Sequence, residues 1–285
     1  MTTFAKLLAG AALAALSLSA NAAYVVGGAS GTIASGSAQW AWDGSYLSGF
    51  RSALANPLNF GPGGVVNRSI TTTDLTTVDN ASLAGVNMFV ASWNTDVQGG
   101  LFSPAVMNFF LNGGDLLLLQ DDSSHDPIGS ALGLNTSAST GTDSNGGAPL
   151  YNGAFGTATN VHQLYLVGQL SAAEIAAHHG HVGGTNATGE ITSAYWAAGE
   201  YAVGAGALFI SADVDMIATT DGVCGPSCGA HYGTGGLAGG MDDNAIYALN
   251  TFSFLESNGG TVPEPSGVLL AATALLLIVM RRRKV

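Results

Sequence analysis

Two acidic clusters hold most of the chemistry this sequence could do. The first reads Gln120-Asp121-Asp122-Ser123-Ser124-His125-Asp126-Pro127, and the second brings Asp213, Asp215 and Asp221 within nine positions. Carboxylate oxygens suit calcium, so Asp121, Asp122, Asp126, Asp213 and Asp215 are candidate metal ligands. The second cluster lacks the regular Asp-x-Asp-x-Asp-Gly of a calcium loop. Ser124 and His125 invite a hydrolase reading, but a nucleophile, a base and an orienting group must meet in space, not in sequence. The alternative for the first cluster is a polar loop built on Asx-turns, with a helix starting near Pro127.

Three further groups have chemical potential. His178, His179 and His181 sit at the end of a predicted helix, where neighbours point about 100° apart and only some pairs can share a ligand. Trp40, Trp42, Trp93 and Trp196 could stack on sugar rings or fill a core. Cys224 and Cys228 enclose Gly225-Pro226-Ser227. In an oxidising compartment that spacing predicts a local disulfide pinning a loop. A zinc site would need two more ligands.

Loops after parallel strands must position the acidic clusters, because α/β folds place ligands at the carboxyl ends of their strands. The pattern predicts strands over 39–42, 65–70, 83–92, 115–120, 191–196 and 207–212. Helices are predicted over 46–55, from Ser103 with Pro104 at its first position to Leu111, over 171–178 with Glu174 completing a capping box, and over 242–256. Leu116 to Leu119 form four consecutive leucines, as in a strand buried on both faces. The expected fold is α/β, a mostly parallel sheet with helices on both faces.

The ends of the chain read as addresses. Residues 1–22 carry Lys6, an apolar run from Leu7 to Leu18, and Ala20-Asn21-Ala22, the features of a secretory signal peptide cut by signal peptidase. An exported domain follows over 23–258 and a linker over 259–265. Residues 266–280 are apolar, and 281–285 carry Arg281, Arg282, Arg283 and Lys284. A helix over Gly267–Met280 would be about 21 Å long, short for a bilayer of about 30 Å. It has no polar face, however, and the cations that follow it are those expected at the inner face of a membrane. Flanking Arg and Lys can snorkel and lengthen the span.

Pro263-Glu264-Pro265, a short apolar helix and a terminal Arg cluster together resemble the PEP-CTERM sorting signal. The resemblance is confined to the tail. It implies recognition by exosortase in a Gram-negative, exopolysaccharide-producing cell, with transient residence in the inner membrane before removal of the tail. Within the domain, Gly113-Gly114-Asp115 with the four leucines, and Gly206 to Asp213 followed by Asn244 and Asn250, resemble class I glutamine amidotransferase-like domains. That likeness covers about half of the exported region and implies a flavodoxin-like three-layer sheet. Those enzymes use a cysteine on a sharp strand-to-helix turn; the turn after Leu119 has none, so their activity does not carry over.

Charge narrows the partners. Of 7 Lys and Arg, only Arg51 and Arg68 fall in the exported region, against eighteen of the 19 acidic residues, a net charge of about −16. Without a basic stripe, nucleic acid is excluded as a partner. Calcium, or a neutral exopolysaccharide, fits better, and acidity alone keeps a secreted protein soluble. The expectation is a cell-surface or matrix protein with a structural or binding domain rather than an enzyme. The alternative is a secreted hydrolase with a metal- or Ser/His-based site at the carboxyl edge of the sheet.

Overall fold

Four consecutive leucines in one strand must face two ways, and here they do. Leu117 and Leu119 enter one core, Leu116 and Leu118 another, and all four are buried. The computed structural model describes residues 23–33, 38–94, 96–139, 143–163, 167–219 and 229–260. The expected signal peptide, Asp221, both cysteines and the expected sorting tail lie outside the described residues. Among the described residues, no helix is long and apolar enough to cross a membrane.

The first four strands are β1 (Tyr24–Ala29), β2 (Ile70–Leu75), β3 (Met88–Ser92) and β4 (Asp115–Leu119). Shorter ones follow: β5 (Thr136–Ala138), β6 (Asp143–Gly146), β7 (Asn152–Gly153), β8 (Gly156–Thr157), β9 (Val161–His162) and β10 (Gly168–Leu170). Last come β11 (His181–Asn186), β12 (Ile191–Trp196) and β13 (Leu208–Ser211). The helices are α1 (Ser48–Ala55), α2 (Asn80–Leu83), α3 (Asp96–Leu111), α4 (Pro127–Ala131), α5 (Ala172–Ala177) and α6 (Asp243–Asn258).

The sheet runs β2-β1-β3-β4-β13 with every pair parallel. It then continues antiparallel through β12, β11, β6 and β9, while β10 and β5 pair alongside β12. The fold is therefore mixed α/β with a parallel central sheet. Phe50 and Leu54 of α1 and Tyr247, Leu249, Phe252 and Leu255 of α6 cover one face. Phe102, Val106 and Phe110 of α3, with Ile128 of α4 and Ile175 of α5, cover the other.

Several elements differ from the sequence reading. Strand β1 is not expected from its pattern, because Gly27 and Gly28 dilute it. Both glycines are needed there: a Cβ on Gly28 would lie 2.4 Å from Cγ of Trp42, and one on Gly27 3.0 Å from Val86. Residues 39–42 form a 3-10 turn (Ala38–Trp40) and a bend instead of a strand, which folds Trp42 onto β1. The strand expected at 65–70 begins only at Ile70 and runs on through a β-branched stretch; Val66 makes one isolated bridge to Phe60. Helix α3 starts at Asp96, so Pro104 lies inside it. That proline costs a backbone hydrogen bond, which the buried stripe Phe102, Val106 and Phe110 outweighs. Ser171 caps α5 as expected, but Glu174 bonds the backbone and side chain of Asn135 rather than closing a capping box.

Candidate functional site

Parallel register brings the carboxyl ends of β1, β3, β4 and β13 to one edge, and the unusual chemistry collects there. The chain leaves β3 through Trp93, at φ 46°, and Asn94 before entering α3. A bulky side chain in the left-handed region is strained, at a cost of about 1–2 kcal/mol. The Trp93 N–H donates to Leu119 O at 2.8 Å, which holds the turn against β4. Its indole stacks on His125 with centroids 4.1 Å apart and planes 9° apart. Trp40 lies 5.8 Å from Trp93, and Tyr46 lies 4.4 Å from Trp40. Tyr46, Trp40, Trp93 and His125 thus form a half-buried row of four rings across the edge. Trp42 and Trp196 are core residues, 1% and 0% exposed.

Beneath the row lie polar groups that the fold leaves without partners. Ser92 Oγ, both amide atoms of Asn94 and Gln120 Oε1 are buried and unbonded. Asn94, Gln120 and His125, with Pro127 and Ile128, line a cavity of about 10 Å³, room for about one water molecule. Buried polar groups are normally satisfied; unbonded ones also occur at Gln163, Ser193, Thr219, Tyr247 and Thr251, so what distinguishes the edge is their combination with the row of rings.

The first acidic cluster divides. Asp122 Oδ1 accepts from the Ser124 backbone at 2.8 Å and the Ser124 hydroxyl at 2.6 Å, and it lies 2.9 Å from His125 Nδ1. Partial burial pushes the Asp122 carboxyl up, but the Ser124 and His125 hydrogen bonds outweigh it and hold the group below the usual range. Ser124 Oγ lies 3.0 Å from the same Nδ1. A catalytic relay needs the base to meet nucleophile and orienter through different ring nitrogens. Both partners here share one nitrogen, so the trio is an Asx-turn and not a hydrolase centre. Asp126 Oδ2 is committed to the backbone and hydroxyl of Thr136, at 2.8 and 2.9 Å.

The second cluster contributes one group to the same place. Burial raises the carboxyl of Asp121, and the charge of Asp215 raises it further, against a hydrogen bond from Val214 N at 3.0 Å. Burial likewise raises Asp215, whose Oδ1 has no partner. Like charges this close cannot both ionise cheaply. The Trp93 indole N–H approaches Asp121 without an aligned hydrogen bond. Asp213 caps the turn Val214–Met216 by accepting from Asp215 N at 2.8 Å.

Of the five candidate ligands, then, Asp121 and Asp215 meet, Asp122 flanks them, and Asp126 and Asp213 hold their own loops. Among the described residues, no group of three or more His, Cys, Asp or Glu side chains is arranged to hold a metal ion. The three histidines also separate: His178 stacks on Tyr201, His181 lies 3.2 Å from Glu200, and His179 is exposed at φ 60°. Asn94 is absent from the sequence reading, and Gln120 and Tyr46 enter it only as ends of a predicted strand and helix. The signal that points to Asn94 is Ser92-Trp93-Asn94 at the end of a buried strand.

A larger cavity, about 220 Å³, lies between α1 and residues 231–233. Asn56 and Asn59 in its wall are spent holding the glycine-rich loop, through Thr234 O and Gly236 N. Thr219 Oγ1 in the same wall is unbonded, as are groups at the edge; we place the site at the edge because, of the two, only the edge sets such groups beside a half-buried row of rings.

No family model matches the chain, and no curated protein matches it. Among solved structures, it is similar to one described as "mmIFT52 N-terminal domain", at 9% identity and a TM-score of 0.47, over 82% of this chain and 97% of that one.

Proposed function

We propose that this chain is an exported binding protein. Signal peptidase releases it, residues 266–280 hold it briefly in the inner membrane, and exosortase sorts it through Pro263-Glu264-Pro265 to the cell surface or extracellular matrix. There its domain binds neutral saccharide at the carboxyl edge of the sheet. The strand order β2-β1-β3-β4-β13 supports reading the domain as a flavodoxin-like sheet with an antiparallel extension, a fold that takes ligands at this edge.

The observation that carries the binding reading is Trp93. It occupies a strained strand-to-helix turn, the position where a nucleophile elbow holds its reactive side chain. An aromatic group stands there instead, in a row of rings beside unsatisfied amides. Rings and amides suit the apolar faces and hydroxyls of sugars. Charge supports a neutral ligand: Arg51 pairs with Asp74 and Arg68 with Glu256, so neither arginine is free for a polyanion.

Native gels cast with neutral glucans, galactomannan or the producing cells' own extracellular polysaccharide test the reading. The domain is expected to be retarded by at least one of them, and Trp93→Ala to lose that retardation. Unretarded migration in all of them, or release of new reducing ends by the wild type, overturns it.

A further inference from the structure

Both ends of the described domain leave from the edge opposite the candidate site. Tyr24 begins β1 two residues after the expected signal-peptide cut, and its hydroxyl donates to Asp115 Oδ2 at the start of β4. Gly260 N donates to Asp115 Oδ1 at 3.2 Å, as Ala207 N does at 2.8 Å. Gly259 fits against the same carboxyl: a Cβ there would lie 2.1 Å from Oδ2. One buried side chain thus gathers the start of the domain and its exit toward the tail at the amino edge.

The two edges differ in surface character. At the surface, the carboxyl edge carries the exposed Asp43 and the half-buried Asp122, with Asp121 and Asp215 buried behind them. The amino edge carries Arg68 beside its partner Glu256, and the apolar side chains of Leu111 and Val203, 41% and 101% exposed. These two lie near the exit, since Gly260 packs on Gly113 and Gly204 packs on Leu111 O. Between Gly260 and the apolar run at 266 there are five residues, which span at most about 20 Å fully extended. The strands alone are about 16 Å tall, and loops extend them at both ends.

We infer that, while the precursor is anchored, its amino edge rests on the bilayer and its Trp93 edge faces outward. The inference relies on the proposal that residues 266–280 anchor the chain. Laying the acidic edge on the membrane would stretch the linker to its limit and press carboxylates against lipid headgroups. With the amino edge down, the linker stays slack, and the apolar side chains of Leu111 and Val203 meet the interface.

The test uses the full-length chain in phosphatidylcholine–phosphatidylglycerol vesicles containing a photoactivatable diazirine lipid, with adducts mapped by mass spectrometry. Adducts outside the tail are expected to be several-fold enriched around Arg68, Leu111 and Val203 over the segments holding Trp40, Trp93 and Ser124. Inserting twenty Gly/Ser residues after Gly260 is expected to even them out. Vesicle flotation with evenly spread adducts, or with enrichment at Trp93, overturns the orientation and leaves the anchor standing. Failure to float overturns the anchor and the orientation with it.

Discussion

Asp115, which opens β4 at the amino edge, and Asp121, just past its carboxyl end, are both buried aspartates, and they are treated in opposite ways. Burial pushes the Asp115 carboxyl up to about 7, against hydrogen bonds from Tyr24, Ala207 and Gly260. Asp121 receives one backbone hydrogen bond and faces a second buried carboxyl. Burial alone therefore does not mark a functional group. Burial with every partner supplied marks a clasp, and burial with partners missing marks a site whose stability cost is tolerated for another reason.

The contrast breaks most visibly at the clasp. Asp115→Ala strands three donors, and a buried donor left unsatisfied costs about 1–3 kcal/mol. The expected loss is about 3–5 kcal/mol in urea unfolding. A loss below about 1 kcal/mol, the scale of an ordinary surface change, would mean that Asp115 is no more essential than Asp121.

How far this contrast could be read beforehand depends on which physical signal each element carries. Leu116 to Leu119 announce a doubly covered strand because no one-sided element tolerates four consecutive leucines. Strand β1 is hidden because the glycines that admit Trp42 and Val86 erase its periodicity, and because it follows closely on the apolar run from Leu7 to Leu18. The antiparallel extension is hidden for another reason: β5, β6, β9 and β10 have 2 to 4 residues each, too few to show alternation. The acidic groups were legible as clusters, but not their sorting into loop caps and an unsatisfied pair. Asp121 and Asp215 meet only because β13 lies parallel beside β4, a pairing that sequence spacing does not encode.

Titration sharpens the comparison with a smaller effect. A raised carboxyl is favoured in its protonated form by the fold. Between the ordinary aspartate pKa near 4 and the raised values, the folded chain therefore holds more protons than the unfolded chain. Stability from such groups is full below about pH 4 and is lost as pH rises through the folded pKa. Asp115, Asp121 and Asp215 all act in this direction. Asp43, Asp122 and Asp243 are held low and act the other way, losing stability as pH falls below about 4. The melting temperature is thus expected to fall by several degrees between pH 5 and pH 8. Asp121→Asn resembles the protonated acid at every pH. It is expected to flatten that slope and to raise the pH 8 melting temperature by roughly 2–4 °C, the scale of 1 kcal/mol for a domain of this size. An unchanged slope would show that Asp121 does not titrate in this range, and the edge would then lose its claim to an unrelieved charge.

The smallest effect isolates the strain at Trp93, and it separates what the turn costs from what the ring contributes. Trp93→Ala and Trp93→Gly both remove the indole and its contacts with His125 and Trp40, so the packing loss is common to the two. They differ in the backbone. Alanine keeps a Cβ in the left-handed region, whereas glycine occupies φ 46° without a steric cost, although its unfolded chain has more freedom to lose. The glycine variant is expected to be the more stable by up to about 1 kcal/mol, measured as the shift in urea midpoint at constant slope. Both variants are expected to lose saccharide retardation equally, because binding depends on the ring and not on the turn. Equal stability would mean that the strain relaxes once the side chain is gone, which makes the ring the cause of the strained turn. Retained binding in either variant would break the comparison at its other end, because the edge that leaves its polar groups unsatisfied would then owe nothing to Trp93.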